Sequence, residues 1–592
     1  MERSQPITQL LFRYWHHVGS RQRVQFGLLL ILMVLASFAE ILGIGAVLPF
    51  LAVLTSPERV FAHPIAQPLI AVLDILAPEQ LLLPLTVGFG LSVLVAGATR
   101  LLLLWASIRL SFAAGADLGI SVYQRTLYQP YAVHVSRNSS EIISGIYDKA
   151  NSVIYSVVMP FVMLVSAGIM LCAILIALLW VSPLVALIAF GGFGLIYLTI
   201  LRFTRHQQRI DSECMARESV QAIRSLQEGL GGIRDILIDG SQATYLKTYR
   251  NVDLRLRRAQ GNTIFIGSGP RYGIEALGML LIAALAYALA QQPDGIGQAI
   301  PVLGTLALGA QRLLPVLHQA YGSWVSIQSG HSSLQDTLEL LDQPMPNYAG
   351  SPTPGPMPFR HSIQLRQISF QYTSQGPWVL NDLNLTIERG SRVGFIGTTG
   401  SGKSTLVDIV MGLLQPTKGA LEIDGQEVTP SNNRSWQAHI AHVPQSIFLA
   451  DSTIEENIAF GIPRNQIDFH RVKQAAEQAQ IANLIETWPE RYQTLVGERG
   501  VRLSGGQRQR IGIARALYKQ ADVIIFDEAT SALDNITERA VMQAIDTLSK
   551  DLTLLIIAHR VSTLRKCTHI VEIDNSGIKR TGSYKQIVSQ EP

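Results

Sequence analysis

The chain has 592 residues and a formal net charge of +4; 48% of its residues are hydrophobic, 16% are charged, and the mean hydropathy is +0.24. Single cores stop growing beyond about 250–300 residues, so this length requires more than one folded unit, while the low share of charge argues against a wholly soluble protein and for membrane spans. The small net charge argues against nucleic-acid binding, and three widely separated cysteines, Cys172, Cys214 and Cys567, indicate neither a disulfide framework nor a zinc cluster.

The N-terminal segment, residues 1–22, mixes apolar and aromatic side chains with arginines, a pattern typical of a helix that lies along the inner membrane surface. No small-residue cleavage site follows the first apolar run, so a removable signal peptide is not expected. Six apolar runs are long enough to cross a hydrocarbon core about 30 Å thick. We predict spans at Phe26–Leu54, Leu81–Ser107, Ile154–Trp180, Pro183–Leu201, Ile274–Ala290 and Ile300–Leu317.

The charges of the connecting segments predict the orientation of these spans. The segments after the second and fourth spans are long and basic, whereas the other connections carry few cations. The positive-inside rule therefore places the basic segments, the N-terminus and, after six crossings, the second half of the chain in the cytoplasm. The basic segments, 108–153 and 202–272, have helical periodicity, so we expect the spans to continue as cytoplasmic helices. Gly231-Gly232 and Asp239-Gly240 are candidate corners of a hairpin that touches the second half.

The first outer loop contains an apolar stretch, Pro64–Leu76, that is too short to span. We expect it to form a helix on the outer membrane face or to pack on the bundle.

A Pro- and Gly-rich segment, Asp342–Arg360, separates two halves of different character. This composition disfavours both helix and sheet, so the domain boundary is placed there. Beyond it, short strands and helices alternate, as they do in a parallel sheet with crossover helices. We predict a transmembrane domain at 1–330, a linker at 331–359 and an α/β domain at 360–592.

The α/β half contains a glycine loop between a β-rich run and an apolar helix pattern. Gly397 to Ser404 matches G-x-x-x-x-G-K-[ST], in which backbone N–H groups surround a phosphate chain and the helix N-terminus adds positive potential. Lys403 is expected to reach the β- and γ-phosphates and Ser404 to ligate Mg²⁺. The predicted fold class is therefore an all-α six-helix transmembrane bundle with long cytoplasmic helix extensions, followed by an α/β P-loop ATPase domain.

Two further motifs fit nucleotide chemistry. Asp522–Glu528 is a buried strand ending in two carboxylates, of which Asp527 suits the Mg²⁺ shell and Glu528 suits a base that orients the attacking water. Leu503-Ser-Gly-Gly-Gln507 precedes a helix and forms a second anion-binding loop; by spacing alone it could equally be a helix cap.

The order of these motifs resembles the ATP-binding cassette (ABC) family, and the first half resembles its exporter-type transmembrane domain. The motifs are the P-loop, Gln445 in His-Val-Pro-Gln, Leu-Ser-Gly-Gly-Gln, Asp527-Glu528, Ser531-Ala-Leu-Asp534 and His559 in Ala-His-Arg. The resemblance implies an ATP site composed of Tyr372, Gly397, Thr398, Thr399, Gly400, Ser401, Gly402, Lys403, Ser404, Thr405, Gln445, Ser504, Gly505, Gly506, Gln507 and Asp534. It also implies a Mg²⁺ shell of Ser404, Gln445 and Asp527, and catalytic roles for Glu528, His559 and Lys403.

The resemblance further implies that Tyr372 stacks on adenine and that Ser504 and Gly506 complete the ATP site of the opposite subunit. One chain carries one P-loop and one Leu-Ser-Gly-Gly-Gln loop, so the resemblance implies a half-transporter that works as a homodimer or as a heterodimer with a similar chain. The expected cofactors are ATP and Mg²⁺, and the expected location is the inner (plasma) membrane, with the N-terminus and the ATPase domain cytoplasmic.

The residues that contact the transported molecule are less clearly marked. Ionisable side chains inside apolar runs are often functional, which makes Arg100 and Arg312 candidate substrate residues; Arg271, just before the fifth span, is the third candidate. Arg100 could instead snorkel to the headgroups, and Arg271 could pair with Glu275. Parts of the first half resemble the branch that flips lipid-linked oligosaccharides. We therefore expect an amphipathic, anionic lipid-linked substrate. The alternatives are export of peptides or hydrophobic drugs, a membrane-tethered ATPase acting on nucleic acid, and an ATP-gated channel.

Overall fold

The computed structural model describes residues 5–46, 50, 53–54, 57–62, 67–72, 75–181, 183–290, 295–352, 354–373, 375–528, 535–546, 551–558 and 561–588. The chain forms two compact units. The helical unit comprises Met1–Gln129 and Arg137–Met345, and the α/β unit comprises Pro346–Pro592 together with Pro130–Ser136. Residues 331–345, assigned to the linker from sequence, thus lie in the helical unit, and a short segment of the first half lies in the α/β unit.

The first 345 residues are helical wherever they form regular structure in the described ranges. The helices are α1 (Ile7–His17), α2 (Ser20–Gly45), α3 (Pro57–Phe61), α4 (Gln67–Val72), α5 (Leu82–Leu127), α6 (Tyr131–Ser136), α7 (Ser139–Ser144), α8 (Ala150–Val153), α9 (Met159–Val181), α10 (Pro183–Gly231), α11 (Ile233–Asp239), α12 (Gln242–Ala290), α13 (Gly295–Ser329) and α14 (His331–Leu341). Single π-helical turns, Gly145–Lys149 and Ile154–Val158, join α7, α8 and α9 into one long helical segment, and a 3₁₀ turn, Pro78–Leu81, precedes α5.

These helices confirm the predicted bundle. Five of the six apolar runs lie in long helical segments of the described chain, and the first, Phe26–Leu54, is helical in α2 as far as Gly45. The basic segments are largely helical, as expected. By length and composition, three helical segments among the described residues are apolar enough to cross a membrane, Ser20–Gly43, Pro78–Leu127 and Ser139–Ile176. Of the outer-loop stretch Pro64–Leu76, Gln67–Val72 is a helix; residues 64–66, 73 and 74 lie outside the described ranges.

The two predicted glycine corners coincide with helix ends. Helix α10 ends at Gly231, and α11 ends at Asp239 with Gly240 as its C-cap, whose φ of +64° is a left-handed conformation that glycine adopts without strain. Described residues of 342–360 contain neither helix nor strand, in agreement with the proline-rich composition.

Packing within the helical unit brings α2, α5 and α9 together. Leu29 on α2, Leu110 on α5 and Val162 on α9 belong to one small buried core. An ion pair between Glu40 and Arg100, with a nitrogen–oxygen distance of 3.1 Å, joins α2 to α5 near the far end of α2.

The α/β unit is built on two sheets of ten strands in the described residues. The strands are β1 (Ser362–Phe370), β2 (Leu380–Glu388), β3 (Arg392–Ile396), β4 (Lys418–Ile423), β5 (Gln426–Glu427), β6 (Ile440–Val443), β7 (Val523–Asp527), β8 (Thr553–Ile557), β9 (His569–Asp574) and β10 (Gly577–Gly582). An antiparallel sheet has the order β2-β1-β4-β5, and a second sheet has the order β10-β9-β3-β8-β7-β6. In the second sheet β9, β3, β8, β7 and β6 are parallel, as predicted; the antiparallel sheet was not foreseen.

Helices cover this parallel sheet and form two separate cores with it. The helices are α15 (Lys403–Val410), α16 (Asn433–Gln437), α17 (Ile454–Ile458), α18 (Phe469–Gln478), α19 (Ala482–Glu486), α20 (Gly505–Tyr518), α21 (Asn535–Asp546) and α22 (Tyr584–Val588). One core lies under α15, where Leu406 and Val407 pack with the fully buried Trp436. The other lies under α18 and α20, where Val472, Ile511 and Ile513 are buried.

Candidate nucleotide site

The predicted nucleotide residues follow the carboxyl ends of neighbouring parallel strands. Strand β3 runs into the P-loop, β6 is followed by Gln445, and β7 ends at Asp527 and is followed by Glu528. Because the carboxyl ends of parallel strands meet at one edge of a sheet, these groups gather there although they are far apart in sequence. The topology therefore assembles the predicted site.

The P-loop has a path that only glycine allows at two positions. Gly397 has a φ of +149° and Gly402 a φ of +98°, both unfavourable for other residues. A Cβ atom on Gly397 would lie 2.1 Å from the carbonyl oxygen of Ile573, and one on Gly402 would lie 2.9 Å from the carbonyl oxygen of Val379. Thr398, Thr399 and Gly400 are exposed at the top of the loop. This narrow cradle of backbone donors fits a phosphate chain.

Lys403 lies inside the loop rather than extending into solvent. Its Nζ donates hydrogen bonds to the carbonyl oxygens of Gly397 (2.9 Å) and Thr398 (2.8 Å), and the side chain is buried. Burial lowers the pKa of Lys403, and the charges of Glu528 and Asp527 partly oppose this shift. The ammonium group therefore lies within electrostatic reach of both acidic residues of the strand end.

Glu528 is held by its backbone and by its side chain. Its N–H donates to the carbonyl oxygen of Ile557 (3.0 Å) on β8, and Nε2 of Gln445 donates to its Oε2 (2.6 Å). The φ of Glu528 is +50°, a conformation that costs a non-glycine residue roughly 1–2 kcal/mol. Strain of this kind concentrates at functional sites. The two hydrogen bonds thus fix the position of Glu528 at the end of β7.

Tyr372 lies near the helix that follows the P-loop. Its hydroxyl is 3.0 Å from Oγ1 of the buried Thr405, while about half of the side chain (53%) is exposed, and Phe370 packs edge-on against its ring. A half-exposed ring fixed in this way presents a flat apolar surface beside the P-loop. Ser404, in the first turn of α15, is exposed.

The Leu-Ser-Gly-Gly-Gln loop forms a helix N-terminus of its own. Ser504 accepts a hydrogen bond from the Gln507 N–H (3.3 Å), and Oε1 of Gln507 accepts one from the Ser504 N–H (2.8 Å), which is a capping box. These residues therefore do cap the helix, as the alternative interpretation held, but Ser504 and Gly505 are still exposed to solvent. Within the described chain, no hydrogen bond or ion pair joins residues 504–507 to residues 397–405. The two loops also rest on different cores.

Some predicted residues lie elsewhere or outside the described ranges. Asp534 and His559 fall outside them, as does the side chain of Arg312. Arg100 pairs with Glu40, and Nε of Arg271 lies 2.7 Å from Oε1 of Glu275 one helical turn away. Both arginines therefore have carboxylate partners within the helical unit.

Two features of the site were missed from sequence. Asp408, on α15, has its pKa raised to about 6, first by burial and then by the charge of Asp527. Tyr131, on α6, belongs to the α/β unit, and its pKa is raised by burial and then by the charges of Asp408 and Tyr372. No motif marks either residue. The one available signal was Pro130, which interrupts the helical periodicity after α5.

The residues present fit both expected cofactors. The P-loop backbone, Lys403 and the flat face of Tyr372 suit the phosphates and base of ATP. For Mg²⁺ the chain offers a hydroxyl on Ser404 and oxygens on Gln445 and Asp527, the hard ligands that this ion prefers.

Comparison with known proteins agrees with this arrangement. Residues 380–531 match the family model for the ABC transporter, and residues 25–292 match the model for the ABC transporter transmembrane region. The chain is 31% identical over 487 residues to an ATP-dependent lipid A-core flippase of Saccharophagus degradans, covering 80% of this chain and 79% of the relative. It is 28% identical over 485 residues to the protein of the same name from Ralstonia nicotianae, covering 80% of each.

A longer relative and a solved structure also match this chain. The chain is 33% identical over 374 residues to ABC transporter B family member 1 of Arabidopsis thaliana, covering 62% of this chain and 28% of the plant protein. A bacterial Atm1-family ABC exporter with ATP bound superposes with a TM-score of 0.74 at 24% identity, covering 93% of this chain and 96% of the other.

The helical unit is thus a transmembrane region, and the α/β unit is an ATPase domain whose hydrolysis of ATP drives transport. This protein belongs to the ABC transporter family and is an exporter.

Proposed function

We propose that this exporter is a flippase for an amphipathic, anionic, lipid-linked glycan, and that it works as a dimer with two ATP molecules held between the subunits. The observation that carries the dimer is the separation of the two anion-binding loops. The P-loop rests on one core and the Ser504 loop on the other, and no polar contact joins them in the described chain. A second chain would bring its own Ser504 loop to each P-loop.

In the proposed mechanism, the P-loop N–H groups and Lys403 bind the β- and γ-phosphates, and Tyr372 stacks on the base. Mg²⁺, held by Ser404, Gln445 and Asp527, would neutralise charge on the phosphates. Glu528 accepts a proton from the attacking water, and Gln445, which already donates to its Oε2, holds the carboxylate in that direction. Asp534 and His559 keep the roles that the resemblance implies, coupling the two sites and holding the γ-phosphate.

Dimer closure on ATP and opening after hydrolysis would move the cytoplasmic helices and change the side to which the cavity opens. We place the protein in the inner membrane, with the N-terminus and the ATPase domain cytoplasmic, because the basic segments lie after the second and fourth spans.

The substrate class is supported by relatives and by charge. The relatives of similar length are named ATP-dependent lipid A-core flippases, and arginines occur within the apolar runs. The second candidate function is export of peptides or hydrophobic drugs, driven by the same ATPase domain. If ATPase activity in liposomes responds to peptides and ignores polyprenyl-pyrophosphate glycans, the flippase assignment is wrong.

A mixing experiment tests the shared ATP sites. Lys403→Ala damages the P-loop and Ser504→Ala the other loop, so each variant alone should lose nearly all ATPase activity. A mixed dimer of the two retains one site in which both loops are intact, and co-expression should therefore restore activity. If instead the P-loop and the Ser504 loop of one chain form a site together, every site in the mixture carries a defect and no ATPase activity returns.

Glu528→Gln tests the catalytic assignment. General-base catalysis contributes about 100- to 10,000-fold, so the turnover rate should fall by that factor while ATP binding persists. Glu427→Gln makes the same chemical change on an exposed strand and should leave turnover unchanged. A Glu528→Gln variant that hydrolyses ATP at the normal rate would remove Glu528 from this role.

A further inference from the structure

A groove on the helical unit lies between α2 and α5, apart from the nucleotide site. It has a volume of about 690 Å³, and its walls include Arg21, Leu28 and Leu32 on α2 and Trp105 and Arg109 on α5. From Arg21, in the first turn of α2, to Leu32 the groove extends about 17 Å at a helical rise of 1.5 Å per residue. Its floor is the buried core around Leu29.

The two ends of this groove differ in chemistry. Arg21, Gln25 and Arg109 supply polar and cationic groups, whereas Leu28 and Trp105 present exposed apolar surface. The guanidinium carbon of Arg109 lies 6.0 Å from the centre of the Trp105 ring, within the range of a cation–π contact. The groove is therefore amphipathic along its length, like a phospholipid.

Neither arginine of the groove has an acidic partner among the residues that the structure describes. In the part of the chain that the structure describes, no carboxylate lies within 4 Å of Arg21 or Arg109. In contrast, Arg100 and Arg271 pair with Glu40 and Glu275. Cations at membrane level normally pair with an anion, and basic pockets between transmembrane helices on the cytoplasmic side bind anionic headgroups.

We propose that this groove binds an anionic phospholipid of the membrane leaflet that surrounds the N-terminal end of α2. The phosphate lies between Arg21 and Arg109 beside Gln25, and one acyl chain follows Leu28, Leu32 and Trp105. A second copy of this chain is a poorer occupant, because it would have to bring an acidic side chain to each arginine along an otherwise apolar face. The proposal is independent of the transported substrate.

Trp105 gives a direct measurement of the occupant. The full-length protein is reconstituted in phosphatidylcholine vesicles, and phosphatidylglycerol with brominated acyl chains is titrated in without nucleotide or substrate. The Trp105 signal is the fluorescence of the wild type minus that of Trp105→Phe. Quenching should saturate at a lower fraction of brominated phosphatidylglycerol than of brominated phosphatidylcholine, with a preference of about 5-fold per arginine.

Paired variants assign the preference to the groove. Arg21→Gln/Arg109→Gln should abolish it, so that both brominated lipids quench equally. Arg23→Gln is the matched control: this arginine also lies on α2 but donates to the carbonyl oxygens of Trp15 and His16, outside the groove. Its variant should keep the preference.

Three results would overturn the proposal. Equal quenching of the wild type by both lipids would show that the groove does not select anions. Absence of quenching by either would show that protein, such as a second copy, covers it. A preference that survives in the double variant would show that these arginines do not bind the lipid.

Discussion

The two glycines Gly397 and Gly400 differ in what surrounds them, and this difference predicts the effect of replacing each by alanine. Both have positive φ, +149° and +84°. A Cβ on Gly400 would meet no atom within 4 Å, whereas one on Gly397 would lie 2.1 Å from the carbonyl oxygen of Ile573. Ile573 belongs to β9, which pairs with β10 on one side and β3 on the other. Its carbonyl oxygen therefore cannot move away from the added Cβ without disturbing the sheet.

The magnitudes follow from these surroundings. Gly400→Ala should cost only its conformational strain, about 1–2 kcal/mol, which raises the Kd for ATP by about 5- to 30-fold at most. Gly397→Ala must also move the loop by about 1 Å to relieve the contact. Losing one hydrogen bond to a charged phosphate costs about 1.5–3 kcal/mol, so together with the strain we expect the Kd to rise by roughly 100-fold or more.

The assay is titration with a fluorescent ATP analogue in a Glu528→Gln background, so that hydrolysis does not deplete the ligand. Thermal unfolding of both variants checks that the α/β unit still folds. Equal weakening by the two substitutions, or wild-type affinity in Gly397→Ala, would refute the steric argument.

Three further predictions concern stability, measured by thermal unfolding in detergent. Because the pKa of Asp408 is raised to about 6, the folded state loses stability as the pH rises from the usual aspartate range through about 6. Asp408→Asn should therefore stabilise the protein more at pH 7.5 than at pH 5. An equal effect at both pH values would contradict this. Arg100→Gln should lower the free energy of unfolding by about 3 kcal/mol, because it removes a partner of the buried Glu40. Adding Glu40→Gln should recover part of this loss. Unchanged stability with lost substrate stimulation of the ATPase would instead indicate that Arg100 contacts the substrate. Trp436→Phe should cost about 1–3 kcal/mol, since the indole N–H donates to the carbonyl oxygen of Val410 at 2.7 Å inside the core; an unchanged unfolding midpoint would argue against that bond.

The motifs of the ATPase half could be located from sequence because each depends on a short, continuous stretch. The spacing of Gly397, Gly402 and Lys403 is local, and so is the capping box that Ser504 begins. Apolar runs similarly predicted the long helices, because a membrane core sets their length. The glycine corners at the ends of α10 and α11 followed from composition, because glycine readily ends a helix and adopts the left-handed conformation seen at Gly240.

Other features depend on residues that only the fold brings together. The bond from Gln445 to Glu528 joins positions 83 residues apart. The pairing of Arg100 with Glu40 depends on how α2 packs against α5, and the raised pKa of Asp408 depends on burial beside Asp527. The inclusion of α6 in the α/β unit likewise depends on tertiary packing, because Pro130 indicates only that α5 ends and not where the next segment packs.

The sequence by itself thus determined the class of chemistry and the order of the elements, because hydrophobic periodicity and phosphate-binding loops act over a few neighbouring residues. Only the tertiary structure decided which charges are paired, which carboxylate is held by an amide, and which arginines lack a carboxylate partner among the described residues. These outcomes depend on distances across helix and strand neighbours, and a linear pattern does not carry that information.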